Sequence, residues 1–158
     1  TVVEFLDYRC GHCREMTPVI EALLHSDSNV RVIIKELPIF SGDSLVAAKM
    51  ALAAQKQSHF AALHKALLTS KETLNAEVLD QLAQAAGLDM AQLHEDMNDA
   101  EIQQEIDANM RLARALKLMG TPAFIVASSE HPEHNSVAPG AVPLAALQHM
   151  VSVARSQR

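Results

Sequence analysis

Residues 1–13, TVVEFLDYRCGHC, join a short apolar stretch to two closely spaced cysteines. Residues 1–6 are short, apolar and β-branched, a composition that predicts a buried strand. Residues 8–12 are expected to form a loop that enters a helix, because apolar residues recur at helical spacing from about Cys13 to His25. The cysteines therefore lie where a strand passes into a helix.

A second β-rich stretch follows this helix. Residues 30–35, VRVIIK, predict another buried strand after a polar turn at residues 26–29. A strand, a helix and a strand in this order form a βαβ unit, so the two strands are expected to be parallel. Pro18 lies inside the helix and is expected to kink it, because proline lacks a backbone donor.

The rest of the chain divides into a helical stretch and a second α/β stretch. Residues 43–98 carry predicted helix caps, Ser58 and Asn75 among them, and helical spacing but no strand pattern. They predict an inserted helical subdomain. A long amphipathic helix, two strands and a last helix are predicted after it, at about residues 100–118, 122–126, 135–138 and 143–155. We therefore expect a discontinuous α/β domain at 1–42 and 99–158.

Composition excludes several classes of protein. Of the 158 residues, 49% are hydrophobic and 20% are charged, which is enough apolar material for an ordinary core. The net charge is −6 without a dense run of Lys or Arg, so no nucleic-acid partner is expected. No apolar stretch approaches the roughly 20 residues that a membrane span needs. The first residues already form a strand pattern, and we expect that a segment has been removed upstream.

Cys10 and Cys13 are the two cysteines of the chain, and their spacing indicates redox chemistry. A disulfide across so short a loop stabilises little and is better suited to being made and broken. A helix start favours an anion, and therefore the nucleophilic thiolate of Cys10. His12, if protonated or donating a hydrogen bond, favours that thiolate further and makes the disulfide more oxidising. Cys13 lies about one turn on, placed to act as the resolving thiol.

The same pair is open to other interpretations. Zinc would need two more ligands, and the remaining histidines show no tight paired spacing, so a position beside a βαβ pattern favours redox chemistry. Copper(I) would suit the thiolates and the seven methionines, although methionines at helix-core spacing more often serve packing. A copper- or zinc-binding module and a redox-inactive chaperone remain the alternatives.

Two further positions are candidates for supporting roles. Glu4 is an acid inside an apolar strand; if buried, its pKa is expected to rise, and it could relay a proton to or from Cys13. Lys35 closes the neighbouring strand and could pair with Glu4, although Glu4 could also simply be exposed. Pro122 opens a strand, and for an X-Pro bond the sequence by itself favours the trans form.

The combined pattern resembles the thioredoxin superfamily, and more closely its bacterial DsbA-like branch. An acid six residues before the first cysteine and a proline five residues after the second both match, and the inserted helical block marks the branch. The matching stretches are VEFLDY at 3–8, CGHC at 10–13, Pro18, VRVIIKELP at 30–38, GTPAFIV at 120–126 and PGA at 139–141. The resemblance implies a thioredoxin-like fold that here lacks the usual first strand.

The resemblance also implies roles for single residues. Cys10 is similar to the exposed nucleophile of the family and Cys13 to its buried partner. Thr121 and Pro122 resemble the cis-proline loop beside the active site, where the backbone of Thr121 pairs with an extended substrate peptide. This reverses the expectation of a trans bond at Pro122. Glu4 and Lys35 resemble the charged pair beneath the active site.

The implied function is thiol–disulfide exchange on exported proteins in the bacterial periplasm. Expected partners are cysteine-containing polypeptides and a redox partner protein that resets the pair, with no metal or organic cofactor. Gly11-His12 is the dipeptide of eukaryotic protein disulfide isomerases, whereas many bacterial DsbA proteins carry Pro-His, so oxidase and isomerase both stay open. Some relatives assemble through an N-terminal extension, so an oligomer formed through a missing N-terminal segment is possible.

Overall fold

The computed structural model describes residues 1–40 and 42–156. Within these ranges, four strands and seven helices follow one another along the chain. Their order and bounds are β1 Val2–Leu6, α1 Gly11–Ser26, β2 Val32–Glu36, α2 Gly42–Lys56, α3 Phe60–Thr69, α4 Ala76–Ala85, α5 Met90–Asp96, α6 Ala100–Ala115, β3 Ala123–Ala127, β4 Asn135–Pro139 and α7 Leu144–Ser156.

The four strands form one mixed sheet in the order β2-β1-β3-β4. Strands β1 and β2 are parallel, whereas β3 runs antiparallel to both β1 and β4. The parallel pair predicted from the first βαβ unit is therefore confirmed, and so is the α/β fold class. Because β1 lies inside the sheet, the loop that follows it places the cysteines at the C-terminal end of a central strand.

Alternate side chains of β1 face two different layers of helices, as the pleat of a strand requires. Phe5 packs against Ala113 of α6 on one face. On the other face Glu4 lies beside α1 and α3, and Val2 packs in the cluster that contains residues of α1 and α7. The larger cluster includes Cys10 and Cys13 together with α2 and α3, so the cysteines pack against the helical stretch as well as the sheet.

Local sequence signals set several helix ends between β2 and α6. The side chain of Asn75 accepts a hydrogen bond from the Val78 amide and caps α4, as predicted. Gly87, at a φ of +88°, follows the end of this helix. The prediction that Ser58 caps α3 is wrong. Ser58 adopts a φ of +60° after the end of α2, and His59 occupies the N-cap position.

From α2 to α5 the described residues form helices and no strands, in line with the expected helical insertion. The division into a domain at 1–42 and 99–158 and a subdomain at 43–98 stays a prediction, and positions 41, 157 and 158 lie outside the described residues. In the parts of the chain that the structure describes, no helix combines the length and the apolar character that a membrane span requires.

Candidate active site

Cys10 is the N-cap residue of α1, with extended backbone angles that lead directly into the helix. Its amide donates to the carbonyl of Asp7 over 3.0 Å, and its Sγ donates to the carbonyl of Thr121 over 3.2 Å. The thiols of Cys10 and Cys13 are both free. A negative sulfur at this position would face the unpaired amides of the first helical turn, which stabilise an anion.

Cys10 is less accessible than the resemblance implied. It is only 4% exposed, because the segment that carries Thr121 lies against its sulfur, whereas Cys13 is 1% exposed. The expectation of an exposed nucleophile is corrected to a shielded one, although Cys10 is still the more open of the two. Burial raises the pKa of the Cys13 thiol well above its usual value, so Cys13 stays protonated at neutral pH.

The segment beside Cys10 contains the cis peptide bond that the resemblance implied. The bond joins Thr121 to Pro122, and β3 begins at the next residue. The carbonyl of Pro122 accepts a hydrogen bond from the Gly140 amide over 2.8 Å, which ties this segment to the end of β4. Met119, just ahead of it, is 95% exposed and offers a flexible apolar side chain near the site.

His12 does not contact Cys10 in the way that the sequence suggested. Its side chain is 72% exposed, and its Nδ1 lies 2.9 Å from Oε2 of Glu15, one turn along α1. Within residues 1–40 and 42–156, no hydrogen bond joins His12 to Cys10. Gly11 has open space where a side chain would point, so the surface beside the sulfur is not crowded.

Glu4 lies beneath the cysteines as predicted, but its pairing with Lys35 is wrong. The strand register sets Ile34 beside Glu4 and Lys35 beside Phe5, so Glu4 and Lys35 project from opposite faces of the sheet. Glu4 is 3% exposed, and burial raises its pKa from 4.5 to about 8. The carboxyl is therefore largely protonated at neutral pH.

A cavity of about 370 Å³ separates α1 and α3 on this face of the sheet. Glu4, Cys13 and Thr17 are among the residues that line it, and the Oγ1 of Thr17 is buried without a hydrogen-bond partner. Its remaining lining is largely apolar, and an ion pair of 2.8 Å between Lys65 and Glu21 joins the two helices beside it. The cavity has room and polar partners for water next to the buried thiol.

Asp7 is a structural centre of the site that sequence reasoning did not single out. The side chain is 2% exposed, and its two oxygens accept four hydrogen bonds. The donors are the amides of Arg9, Ile39 and Phe40 and the hydroxyl of Ser44, at 2.8, 2.8, 3.3 and 2.8 Å. Asp7 thus fastens the loop that carries Cys10 to the connection between β2 and α2. The sequence feature that could have indicated this role is an acidic residue directly after a buried strand.

Replacing Asp7 by Ala is expected to lower the free energy of unfolding by about 3 kcal/mol, because it leaves one buried and several partly buried donors without an acceptor. Chemical denaturation of the reduced protein measures the change. Asp43→Ala serves as the control, since Asp43 is an exposed acid near the same loop, 3.7 Å from Arg9. That variant is expected to lose less than about 1 kcal/mol. Equal losses in both variants would contradict a special role for Asp7.

The described residues hold no cluster of three or more His, Cys, Asp or Glu side chains that could bind a metal ion. His12, the histidine between the two cysteines, pairs with Glu15 instead. What the site brings together is a pair of thiols, a helix N-terminus, a buried acid and a carbonyl that faces one sulfur.

Known proteins are similar to this chain in sequence and fold. Residues 1–152 match the family model described as the DSBA-like thioredoxin domain. The crystal structure of a thioredoxin-like oxidoreductase from Silicibacter pomeroyi superposes with a TM-score of 0.93 at 36% identity, covering 99% of this chain and 87% of that one. Its similarity extends over nearly the entire fold described above.

Two curated relatives are similar in sequence. The Na(+)/H(+) antiporter NhaA 3 of Salinispora tropica is 31% identical over 83% of this chain, and the thiol:disulfide interchange protein DsbA of Bordetella parapertussis is 24% identical over 79%. The chain spans only 20% of the antiporter's length and 62% of that DsbA protein's length. Both relatives are therefore longer than the region that they share with this chain.

Proposed function

The chain belongs to the family of DSBA-like thioredoxin domains, and from that premise we propose that it exchanges disulfides with exported polypeptides through Cys10 and Cys13. The observation that carries this function is the position of Cys10, at the start of α1 and against the carbonyl of Thr121, one turn from a buried second thiol. A thiolate there is stabilised by the helix and stands within reach of Cys13.

The oxidising direction begins with the Cys10–Cys13 disulfide. A substrate thiolate attacks the Sγ of Cys10, a mixed disulfide forms, and Cys13 leaves as a thiolate that takes up one proton. A second substrate thiolate then attacks the substrate sulfur of the mixed disulfide, and Cys10 leaves as a thiolate. Two electrons pass from the substrate to the cysteine pair. Isomerase work would start from the dithiol form, with Cys10 attacking a wrong disulfide.

Thr121 and the exposed Met119 support a docking place for the substrate chain. An extended peptide beside Thr121 could pair with its backbone, as in other cases of strand addition, and bring a cysteine to the Sγ of Cys10. The sulfur contact to the Thr121 carbonyl would give way as the peptide binds. Met119 would offer a pliable apolar contact to residues that flank the substrate cysteine.

Partners and compartment follow from the same chemistry. A thiol pair that oxidises other proteins needs a redox partner protein that removes the two electrons, and it is useful where cysteines are being oxidised. We therefore place the activity in the bacterial periplasm, the oxidising space in which exported proteins acquire disulfides.

The first experiment is an equilibrium of the protein with glutathione buffers, read by thiol labelling. An oxidase or isomerase is expected to have a potential between about −120 and −180 mV, whereas a value near about −270 mV would indicate a reductase. If no reversible disulfide forms at any ratio of glutathione to its disulfide, the redox function fails. Metal titration of the reduced protein would then test the copper or zinc alternative.

Glu4 is proposed to give its proton to Cys13 as that sulfur leaves the disulfide. Since the pKa of Glu4 is raised to about 8, the carboxyl can donate below about pH 8 and not above it. Glu4→Gln is therefore expected to slow the reaction of the oxidised protein with a reduced peptide at least about tenfold at pH 6–7. Above pH 8 the two rates should converge. Stopped-flow kinetics across pH 6–9 measures both limits.

Lys35→Gln is the matched control, because Lys35 lies on the opposite face of the same sheet. Its pH profile should equal that of the parent. Stability supplies a second readout: a carboxyl whose pKa is raised on folding destabilises the fold increasingly as pH rises from about 4.5 to 8. Glu4→Gln should flatten that decline by up to about 1.4 kcal/mol per pH unit. An unchanged pH–rate profile in Glu4→Gln would remove the proton-relay role.

A further inference from the structure

A buried network outside the cysteine pair joins the loop of the site to the helical stretch. The hydroxyl of Tyr8 donates to Oε1 of Glu36 over 2.8 Å and lies 2.8 Å from Nδ1 of His64. Tyr8 and Glu36 are each 1% exposed. These three residues, here called the Tyr8 network, come from the β1–α1 loop, the end of β2 and the middle of α3.

The hydrogen positions in the Tyr8 network follow from its geometry. Because the one hydroxyl hydrogen of Tyr8 goes to Glu36, the Tyr8 oxygen must accept its second contact from Nδ1 of His64. Burial lowers the pKa of His64 to about 4, so His64 is neutral, and donation to Tyr8 requires the tautomer with its hydrogen on Nδ1. The ring is also held by Phe60, which stacks on it at a centroid distance of 5.2 Å.

A second bridge fastens the same loop to the same helix. Nε of Arg14, in α1, donates to the carbonyl of Tyr8 over 3.1 Å. Another nitrogen of this guanidinium donates to the carbonyl of Ser70, just past the end of α3, over 2.9 Å. The backbone carbonyl and the hydroxyl of Tyr8 are therefore both hydrogen-bonded. The hydroxyl contacts α3 directly through His64, and the carbonyl is connected to the end of α3 through Arg14.

Tyr8 lies two residues before Cys10, in the loop whose hydrogen bonds position the Cys10 sulfur. The Cys10 amide depends on the carbonyl of Asp7, the residue before Tyr8, and Sγ of Cys10 rests on the carbonyl of Thr121. A disulfide forms only within a narrow range of sulfur positions, so a small movement of this loop changes the balance between dithiol and disulfide. The Tyr8 network therefore restricts the loop that positions the sulfur of Cys10.

We infer that Tyr8 is a positioning residue of the redox pair, held in place by His64 of the helical stretch and by Glu36 of the sheet. The inference rests on the proposed exchange function and adds a means by which α3 adjusts the redox equilibrium of Cys10 and Cys13. Because the network restricts the loop that carries Cys10, its loss should change the equilibrium between dithiol and disulfide.

The test is the glutathione equilibrium of Tyr8→Phe, which removes the hydroxyl and keeps the ring. Its equilibrium constant for reduction is expected to differ about tenfold, or about 30 mV, from that of the parent. His64→Leu should shift the equilibrium in the same direction and provides the same test if Tyr8→Phe does not fold. His64→Asn keeps a donor close to the place of Nδ1 and should retain the parent's equilibrium.

Leu67→Val is the control for a general loosening of α3, since Leu67 is fully buried in that helix and takes no part in the Tyr8 network. It should lower the unfolding temperature without moving the redox equilibrium. An equilibrium constant within about twofold of the parent in Tyr8→Phe, or an equal shift in Leu67→Val, would overturn the inference. If the parent itself forms no reversible disulfide, the proposed function fails together with the inference; a normal parent beside an unchanged Tyr8→Phe removes the inference alone.

Discussion

Cys10→Ala is expected to lose exchange with a cysteine-containing peptide by more than about 1,000-fold. The variant lacks the sulfur that stands at the N-terminus of α1 and forms the bond to the substrate. Cys13 cannot substitute for it. It is 1% exposed, and burial raises the pKa of its thiol, so few thiolates form at neutral pH and few substrates can reach them. Reduction of a disulfide-linked fluorescent peptide by the reduced variant measures the loss.

Loss of fold must be separated from loss of chemistry in that experiment. Cys10→Ala removes one sulfur and its hydrogen bond to the Thr121 carbonyl, so its thermal unfolding should stay close to that of the parent. Met119→Ala is a useful companion, since it changes the surface beside the site and leaves both sulfurs in place. Exchange by Cys10→Ala within about tenfold of the parent would show that another group is the nucleophile.

The parts of the fold that could be predicted are those that depend on neighbouring residues. The apolar run at 1–6, the helical spacing after Cys13 and the second apolar run at 30–35 each determine one element, and their order makes β1 and β2 parallel. Asn75 caps α4 through a side-chain bond to a residue three positions on. The position of the cysteines at a strand-to-helix junction is equally local, so it was open to prediction.

The parts that could not be predicted depend on residues far apart in sequence. Pairing between Glu4 and Lys35 is decided by the register of two strands, which places Lys35 beside Phe5. A shift by one position would have put it on the same face as Glu4, and composition does not distinguish the two registers.

Long-range hydrogen bonds explain why the supporting residues were missed. Asp7 accepts its long-range hydrogen bonds only when Ile39, Phe40 and Ser44 fold over it. Tyr8 meets His64 across 56 positions of chain. A lone histidine in a helix gives no sign of such a contact. Cys10 is shielded for the same reason, because Thr121, which lies against its sulfur, is 111 positions further along the chain.

Cys13→Ala is expected to trap the intermediate that the parent passes through quickly. Cys10 can still attack a substrate disulfide, but the chain holds no other thiol to resolve the product. A well-placed intramolecular group acts at an effective concentration that can reach about 10⁵ M, far above any thiol in solution, so its removal leaves only slow resolution by external thiols. Mass spectrometry under non-reducing conditions should therefore find most of the variant joined to the substrate peptide.

The trapped species also distinguishes the roles of the two sulfurs. The adduct should be located on Cys10, should disappear on adding a reductant, and should be absent from Cys10→Ala. In the parent, by contrast, resolution requires Cys13 to lose its proton, so the lifetime of the mixed disulfide should shorten as pH rises. A parent that accumulates as much adduct as Cys13→Ala would mean that Cys13 does not resolve it. Its burial beside Glu4 and the cavity would then serve packing alone.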